Sequence, residues 1–90
     1  LHYSPGIPIK LNTRKPKPNE AFILIKKRKK SYKNYYYLSK TKNHKQAAKN
    51  LYKILRMIKN KNYKSIVVEK IPNIGFGEAI NDRLERASTK

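Results

Sequence analysis

Apolar residues change their spacing along this chain, and each spacing implies a different element. Ile7 to Leu11 (IPIKL) alternates apolar residues with polar ones or proline, the period of a short strand. Pro8 has no N–H to give a ladder, so that strand belongs at a sheet edge. Thr13 to Glu20 (TRKPKPNE) is a polar loop punctuated by Pro16 and Pro18. Ala21 to Ile25 (AFILI) is a continuous apolar run bounded by a loop and by charge, which marks a strand buried on both faces. Tyr35 to Ser39 (YYYLS) reads as a third strand through its aromatic content. Alternation sends Tyr35 and Tyr37 to one face and Tyr36 and Leu38 to the other. That fits half-buried strand tyrosines better than a row of base-stacking rings.

The period then lengthens. Ala47, Ala48, Leu51, Ile54, Leu55 and Ile58 recur at helical spacing within His44 to Asn60, with Thr41 or Asn43 available as the N-cap. Lys45, Lys49, Lys53, Arg56 and Lys59 line the other side. They read as the wet face of an amphipathic helix rather than a phosphate-facing surface. Ser65 to Ile71 (SIVVEKI) is β-branched and predicts a strand. Strand 35–39, helix 44–60 and strand 65–71 make a β-α-β unit with parallel strands and a right-handed crossover. Pro72, Asn73 and Gly75 end the last strand. Glu78 to Ala87 predicts a final helix, with Ile80, Leu84 and Ala87 toward the sheet and Asp82 and Arg86 one turn apart on the wet side. The elements sum to an α/β sheet of about four strands with two main helices, in two or three layers.

Ninety residues make one domain, which buries roughly 60–65% of its unfolded surface. Such a core leaves little room for a deep cleft, so an active site would sit at an edge or be completed by another domain. The chain has no cysteine, which excludes disulfides and thiolate metal sites and fits a reducing compartment. Its two histidines have no carboxylate at ligand spacing, so no metal site is expected. No apolar run approaches the ~20 residues that span a bilayer. The opening LHYSPGIPIK lacks the charged-then-apolar pattern of a signal peptide, and a chain opening on Leu1 reads as part of a longer polypeptide or as a processed one.

Charge is the outstanding compositional feature: 23 Lys and Arg against 5 Asp and Glu, a net +18. Such a field attracts nucleic acid and other polyanions. The chain is equally rich in Asn, Ile and Tyr, residues favoured by an A/T-rich genome, so drift in composition accounts for the excess as well as a partner does. The densest window, Lys26 to Asn34, holds six Lys or Arg in nine residues. It has no apolar period and reads as a solvated loop joining two strands; its likeness to a localisation or heparin-type patch is superficial.

The chemistry-bearing candidates are few. Gly75-Phe76-Gly77, between a strand and a helix, has the setting of a dinucleotide fingerprint. The third glycine would fall on Ile80, a core position, and Glu78 and Asp82 occupy the helix start, where they satisfy the dipole and repel a phosphate. The two glycines are better read as conformational: Gly75 for an unusual backbone turn, Gly77 for close approach of helix to sheet. Ser4, Ser31, Ser39 and Ser65 have no adjacent base, no carboxylate pair sits among apolar neighbours, and His44 has no partner in sequence. No catalytic residue is assigned.

The segment Gly75-Phe76-Gly77-Glu78-Ala79-Ile80-Asn81-Asp82-Arg83-Leu84-Glu85-Arg86-Ala87-Ser88 resembles the end of the two-domain threonylcarbamoyl-AMP synthases, a Gly-x-Gly followed by an Ala-Ile-Asn-x-Arg-Leu-x-Arg-Ala-like helix. Leu1-His2-Tyr3-Ser4-Pro5 looks like the His-Tyr-x-Pro of the linker entering that family's small C-terminal domain, and Gly6 to Asn12 looks like its first strand. The resemblance covers essentially the whole chain. It implies a Rossmann-like accessory domain over 7–90, preceded by the end of an interdomain linker at 1–6. Gly75, Gly77, Asn81, Arg83 and Leu84 are its structural motif positions.

The resemblance further implies a YrdC-like catalytic domain in the same polypeptide, which condenses L-threonine, bicarbonate and ATP into threonylcarbamoyl-adenylate and releases pyrophosphate. The product serves tRNA threonylcarbamoyladenosine modification. His2, Tyr3 and Pro5 would lie near the nucleotide pocket, where an imidazole and a phenol can contact phosphate and exclude water and a proline stiffens the entry. ATP, with Mg, would be a cofactor of the parent nucleotidyltransferase and none of this domain. The fragment alone should make no adenylate. The implied setting is cytoplasmic, without a membrane partner. The chain is shorter between its first and third strands than many relatives, which leaves the number of helices there open. The rival reading is a small basic RNA-binding module, and direct binding of tRNA is left open.

Overall fold

The apolar run occupies the interior of the sheet. A computed structural model describes residues 7–11, 15–39 and 43–88. Its elements are β1 (Ile9–Lys10), β2 (Glu20–Lys26), β3 (Tyr35–Ser39), α1 (His44–Lys59), β4 (Ser65–Val68) and α2 (Phe76–Ser88). The strands lie in the order β1-β4-β2-β3, and every pairing is parallel. β2 is therefore flanked on both sides, and Ala21 to Ile25 are all buried. β1 is an edge strand, as Pro8 requires: the proline gives no N–H, yet its carbonyl accepts from Ile66 N at 2.8 Å.

Alternation along the strands divides two faces. Ala21, Ile23, Ile25, Leu38, Ile66 and Val68 pack with both helices, which contribute Ala47, Leu51, Leu55 and Ile58 from α1 and Ile80, Leu84 and Ala87 from α2. Phe22, Leu24 and Val67 form a second, smaller cluster, with Tyr35 and Tyr37 against it. The tyrosines divide as their alternation predicts, Tyr36 going to the helix side. Tyr36 meets Tyr63 there, hydroxyl to hydroxyl at 3.1 Å. Burial first, and then that hydrogen bond, push its phenol up to about 12. Two layers result, one of sheet and one of helix, the simpler of the two arrangements expected.

Asn43 caps α1: its side-chain oxygen accepts from Gln46 N at 3.1 Å. Arg56 and Lys59 occupy the last turn, favourable against the helix dipole. β3, α1 and β4 form the predicted β-α-β unit, with β2 lying between its two strands. No helix stands between β1 and β3 among the described residues.

Two expectations need correction. The last strand ends at Val68 rather than Ile71. Glu69 N still donates to Ile23 O at 3.1 Å, and a continued ladder would next take Ile25 N on the carbonyl of Glu69. The Glu69 side chain takes it instead, Oε1 accepting at 2.8 Å. The last helix starts at Phe76 rather than Glu78, because two tight turn bonds, Gly77 N to Ile74 O and Glu78 N to Gly75 O, wind its entry early. The basic window is an exposed loop joining β2 to β3, as expected. Neighbouring parallel strands are ordinarily joined by a crossover of about a dozen residues or more, yet 27–34 supplies eight. It must travel back along the strands, and it does so over the helix-free face. The Arg28 guanidinium lies 5.3 Å from the centre of the Phe22 ring, Tyr32 meets Tyr35 edge-on at 5.2 Å, and Tyr37 OH donates to Ser31 Oγ at 2.6 Å. The solvated window thus also roofs Phe22 and its neighbours.

Candidate functional site at the carboxyl end of the sheet

Open parallel sheets bind ligands beyond the carboxyl ends of their strands, and the glycine motif sits there. Gly75 has φ +57°, the left-handed region that glycine enters without steric cost. Gly77 is buried in the first turn of α2. A Cβ on it would stand 2.1 Å from the carbonyl oxygen of Pro72, so the close approach is to the turn leaving β4 rather than to the sheet itself. Asn81, one turn along the helix, donates from Nδ2 to Ile71 O at 2.9 Å and reaches Asn73 Oδ1 at 3.3 Å. The two glycines and the asparagine thus clamp segment 71–75 onto the start of α2. Leu84 anchors the same helix in the core. Arg83 stands apart from the clamp, donating to Ala79 O of its own helix at 3.3 Å.

This arrangement can hold a turn, and it is poorly made for a phosphate. The amides of Gly77 and Glu78, which a phosphate loop would aim at its ligand, are spent on the turn bonds, and Glu78 adds negative charge in the first turn. A cleft of about 270 Å³ lies alongside, lined by Leu11, Glu69, Asn73, Asn81 and Glu85 among others. Its charged lining is Glu69, Lys70 and Glu85, and Glu69 is bound to Arg28 at 2.9 Å. Among the described residues no three His, Asp or Glu side chains group to hold a metal ion.

Sequence inspection missed one pairing of chemistry-bearing groups. Ser65 is placed beside a carboxylate after all: the register sets Glu20 opposite Ser65, and Ser65 Oγ donates to Glu20 Oε2 at 2.5 Å. Lys17 N donates to Oε1 at 2.9 Å and Lys10 Nζ to Oε2 at 3.0 Å. The Ser65 hydroxyl chiefly, then the Lys17 amide and more weakly Lys10, hold the Glu20 carboxyl down to about 2 against the opposing effect of burial. A carboxylate this acidic is a poor general base at neutral pH, and both residues are buried. The pair ties β1, β2 and β4 together at the amino end of the sheet. Ser39 serves structure too: its Oγ donates to Gln46 and accepts from Asn43 N. Ser31 is held by Tyr37.

The linker positions His2, Tyr3 and Pro5, and Ser4 with them, lie outside the described residues; so does Thr41. No helix among the described residues is long and apolar enough to cross a membrane.

The motif residues Gly75, Gly77 and Asn81 thus hold the turn leaving β4 against α2. No curated protein and no solved structure matches the chain. Residues 1–89 match the family described as threonylcarbamoyl-AMP synthase, C-terminal domain. With nearly every residue covered by that match, the chain belongs to the family of threonylcarbamoyl-AMP synthase C-terminal domains.

Proposed function

We propose that this chain is the accessory domain, a lid or regulator, of a threonylcarbamoyl-AMP synthase whose YrdC-like domain performs the reaction. The observation that carries the reading is the family match over 1–89, which takes in the linker residues as well as the terminal motif. On this reading residues 1–6 end the interdomain linker and 7–90 form the domain. The partner is the catalytic domain of the same polypeptide, and L-threonine, bicarbonate, ATP and Mg are bound there. The setting is cytoplasmic, and the product feeds tRNA threonylcarbamoyladenosine modification.

The domain's own chemistry supports a role of position rather than catalysis. Gly77 and Asn81 of its motif hold 71–75 to α2, and its buried carboxylate is locked in a strand-tying network. What it offers a neighbour is a rigid body from which His2 and Tyr3 can be presented. An imidazole and a phenol laid over an adenylate would contact phosphate and shield the mixed anhydride from water.

The test uses the polypeptide joined to its catalytic domain. His2→Ala with Tyr3→Ala should lower threonine-dependent pyrophosphate release about tenfold or more, through loss of closure, and leave the melting temperature of the domain unchanged. Full activity in that double variant would remove the lid role from the linker.

A further inference from the structure

The helix-free face of the sheet carries a feature that neither the fold nor the lid role uses. Beside the roof formed by 27–34 opens a cleft of about 350 Å³, walled by Pro16, Pro18, Tyr32 and Tyr35, with Lys15 and Asn34 completing its lining. Lys33 lines an adjoining hollow together with Tyr32 and Tyr63. Tyr32, in the roof loop, is 56% exposed, whereas Tyr35 and Tyr37 on the neighbouring strand are half-buried. Its edge is fixed against Tyr35, and Tyr35 in turn meets Phe22 edge-on at 5.2 Å. The ring is therefore set in place before any ligand arrives. Lys15 lines the cleft and Lys33 the adjoining hollow; Lys30 and Lys29, two and three residues before Tyr32 in the same loop, are exposed as they are.

Ordered aromatic faces next to a run of cations are the two requirements for holding an unpaired nucleic-acid strand: bases stack, and the backbone follows the charge. An acidic protein surface would need the lysines alone and would leave a proline-walled slot with a half-exposed ring unexplained. We propose that this cleft takes one unstacked base of a single-stranded RNA segment on Tyr32, with Lys15, Lys29, Lys30 and Lys33 receiving the flanking phosphates. The choice of RNA rests on the family reading, since that family serves tRNA modification; the stacking site itself rests on the geometry.

The experiment must separate a site from the general field of a chain with net charge +18. A fluorescent, unstructured twelve-nucleotide RNA is titrated with the 90-residue chain between 50 and 200 mM salt, followed by anisotropy, with circular dichroism confirming that each variant is folded. Tyr32→Ala removes no charge and should weaken binding about tenfold, within the range of one lost base stack, while Tyr32→Phe should bind as the parent does. Lys29→Gln, Lys30→Gln and Lys33→Gln together should weaken binding and reduce the salt slope by about 2, as expected for three phosphate contacts on a single strand. The same number of charges removed from α1, as Lys49→Gln, Lys53→Gln and Lys59→Gln, should change affinity by no more than about twofold. Equal losses from the two triple variants with Tyr32→Ala unaffected would show a charge field without a site and overturn the proposal. So would competition by inorganic polyphosphate as effective, per phosphate, as RNA, or no binding at 50 mM salt. Adenylate formation by the parent synthase tests the family reading separately, so failure of one does not count against the other.

Discussion

Gly77→Ala will lower the melting temperature of this domain by about 15 °C, the largest effect expected of any single methyl group added to it. Intrinsic propensity argues the other way, since alanine inside a helix is favoured over glycine by about 1 kcal/mol. The added Cβ, however, would stand 2.1 Å from a backbone oxygen, that of Pro72, and 3.5 Å from the Ile71 side chain. A backbone oxygen at that distance cannot rotate away as a side chain would. Either the start of α2 or the 71–75 turn must move, and Asn81 loses its hold on Ile71 O. A net cost of about 3 kcal/mol is in the range for such overpacking, and in a domain this small each kcal/mol shifts the midpoint by roughly 4–8 °C. Gly75→Ala is the control. Its φ of +57° is strained for alanine, but nothing stands within 4 Å of the new Cβ, so the cost is about 1–2 kcal/mol. Thermal melts of the two variants should rank Gly77→Ala well below Gly75→Ala. The reverse order would contradict the clamp. A glycine pair kept for a phosphate would instead show normal melting and lost ligand binding.

Glu20→Gln should cost about 2–3 kcal/mol at neutral pH, and the loss should vanish in acid. Glu20 accepts from Ser65, Lys17 N and Lys10 at one end of the sheet. A glutamine can accept at one atom only and turns donors toward donors, leaving buried partners unsatisfied. The pH dependence follows from the carboxyl being lowered from its ordinary 4.5 to about 2. A group depressed in the folded state stabilises fully above its unfolded value, and that stabilisation is lost as pH falls through the folded value. Urea unfolding of parent and variant should therefore differ at pH 7, converge between about pH 4.5 and 2, and coincide below. Equal stability at pH 7 would show that the network contributes nothing.

Both predictions rest on features that the residues announce to different degrees. Gly75 and Gly77 are legible because glycine between a strand and a helix is seldom placed there by chance. Asn81 is not: its role is to satisfy a carbonyl ten residues away, and only the folded turn brings the two together. β2 was legible because an unbroken apolar run has one stable place, between two strands. α1 was legible because its apolar stripe repeats over four turns. The end of β4 was hidden, because Glu69 substitutes a side-chain oxygen for the next ladder carbonyl, which β propensity does not register. Ser65 and Glu20 lie 45 residues apart, so their union depends on strand order, and strand order depends on which edges remain free. The roof over Phe22 was hidden for a related reason. Its cohesion comes from Arg28 over a ring and from tyrosine contacts, in a window that carries no apolar period.

The terminal motifs, by contrast, reach the family directly. The clamp at Gly75, Gly77 and Asn81 ties the start of the last helix to the turn leaving β4. In the lid role proposed above, such a body would hold the linker over the reacting groups and keep water out of the closed state.

The most direct measurement is pyrophosphate release from ATP by the parent synthase and by a version ending before Leu1, each assayed with and without threonine and with and without bicarbonate. The account predicts that the intact enzyme needs both substrates, and that truncation lowers the rate or lets ATP be cleaved without threonine. Unchanged and fully coupled activity after truncation would contradict the lid role. An intact protein with no threonine-dependent release at all would contradict the assignment of this chain to a working synthase.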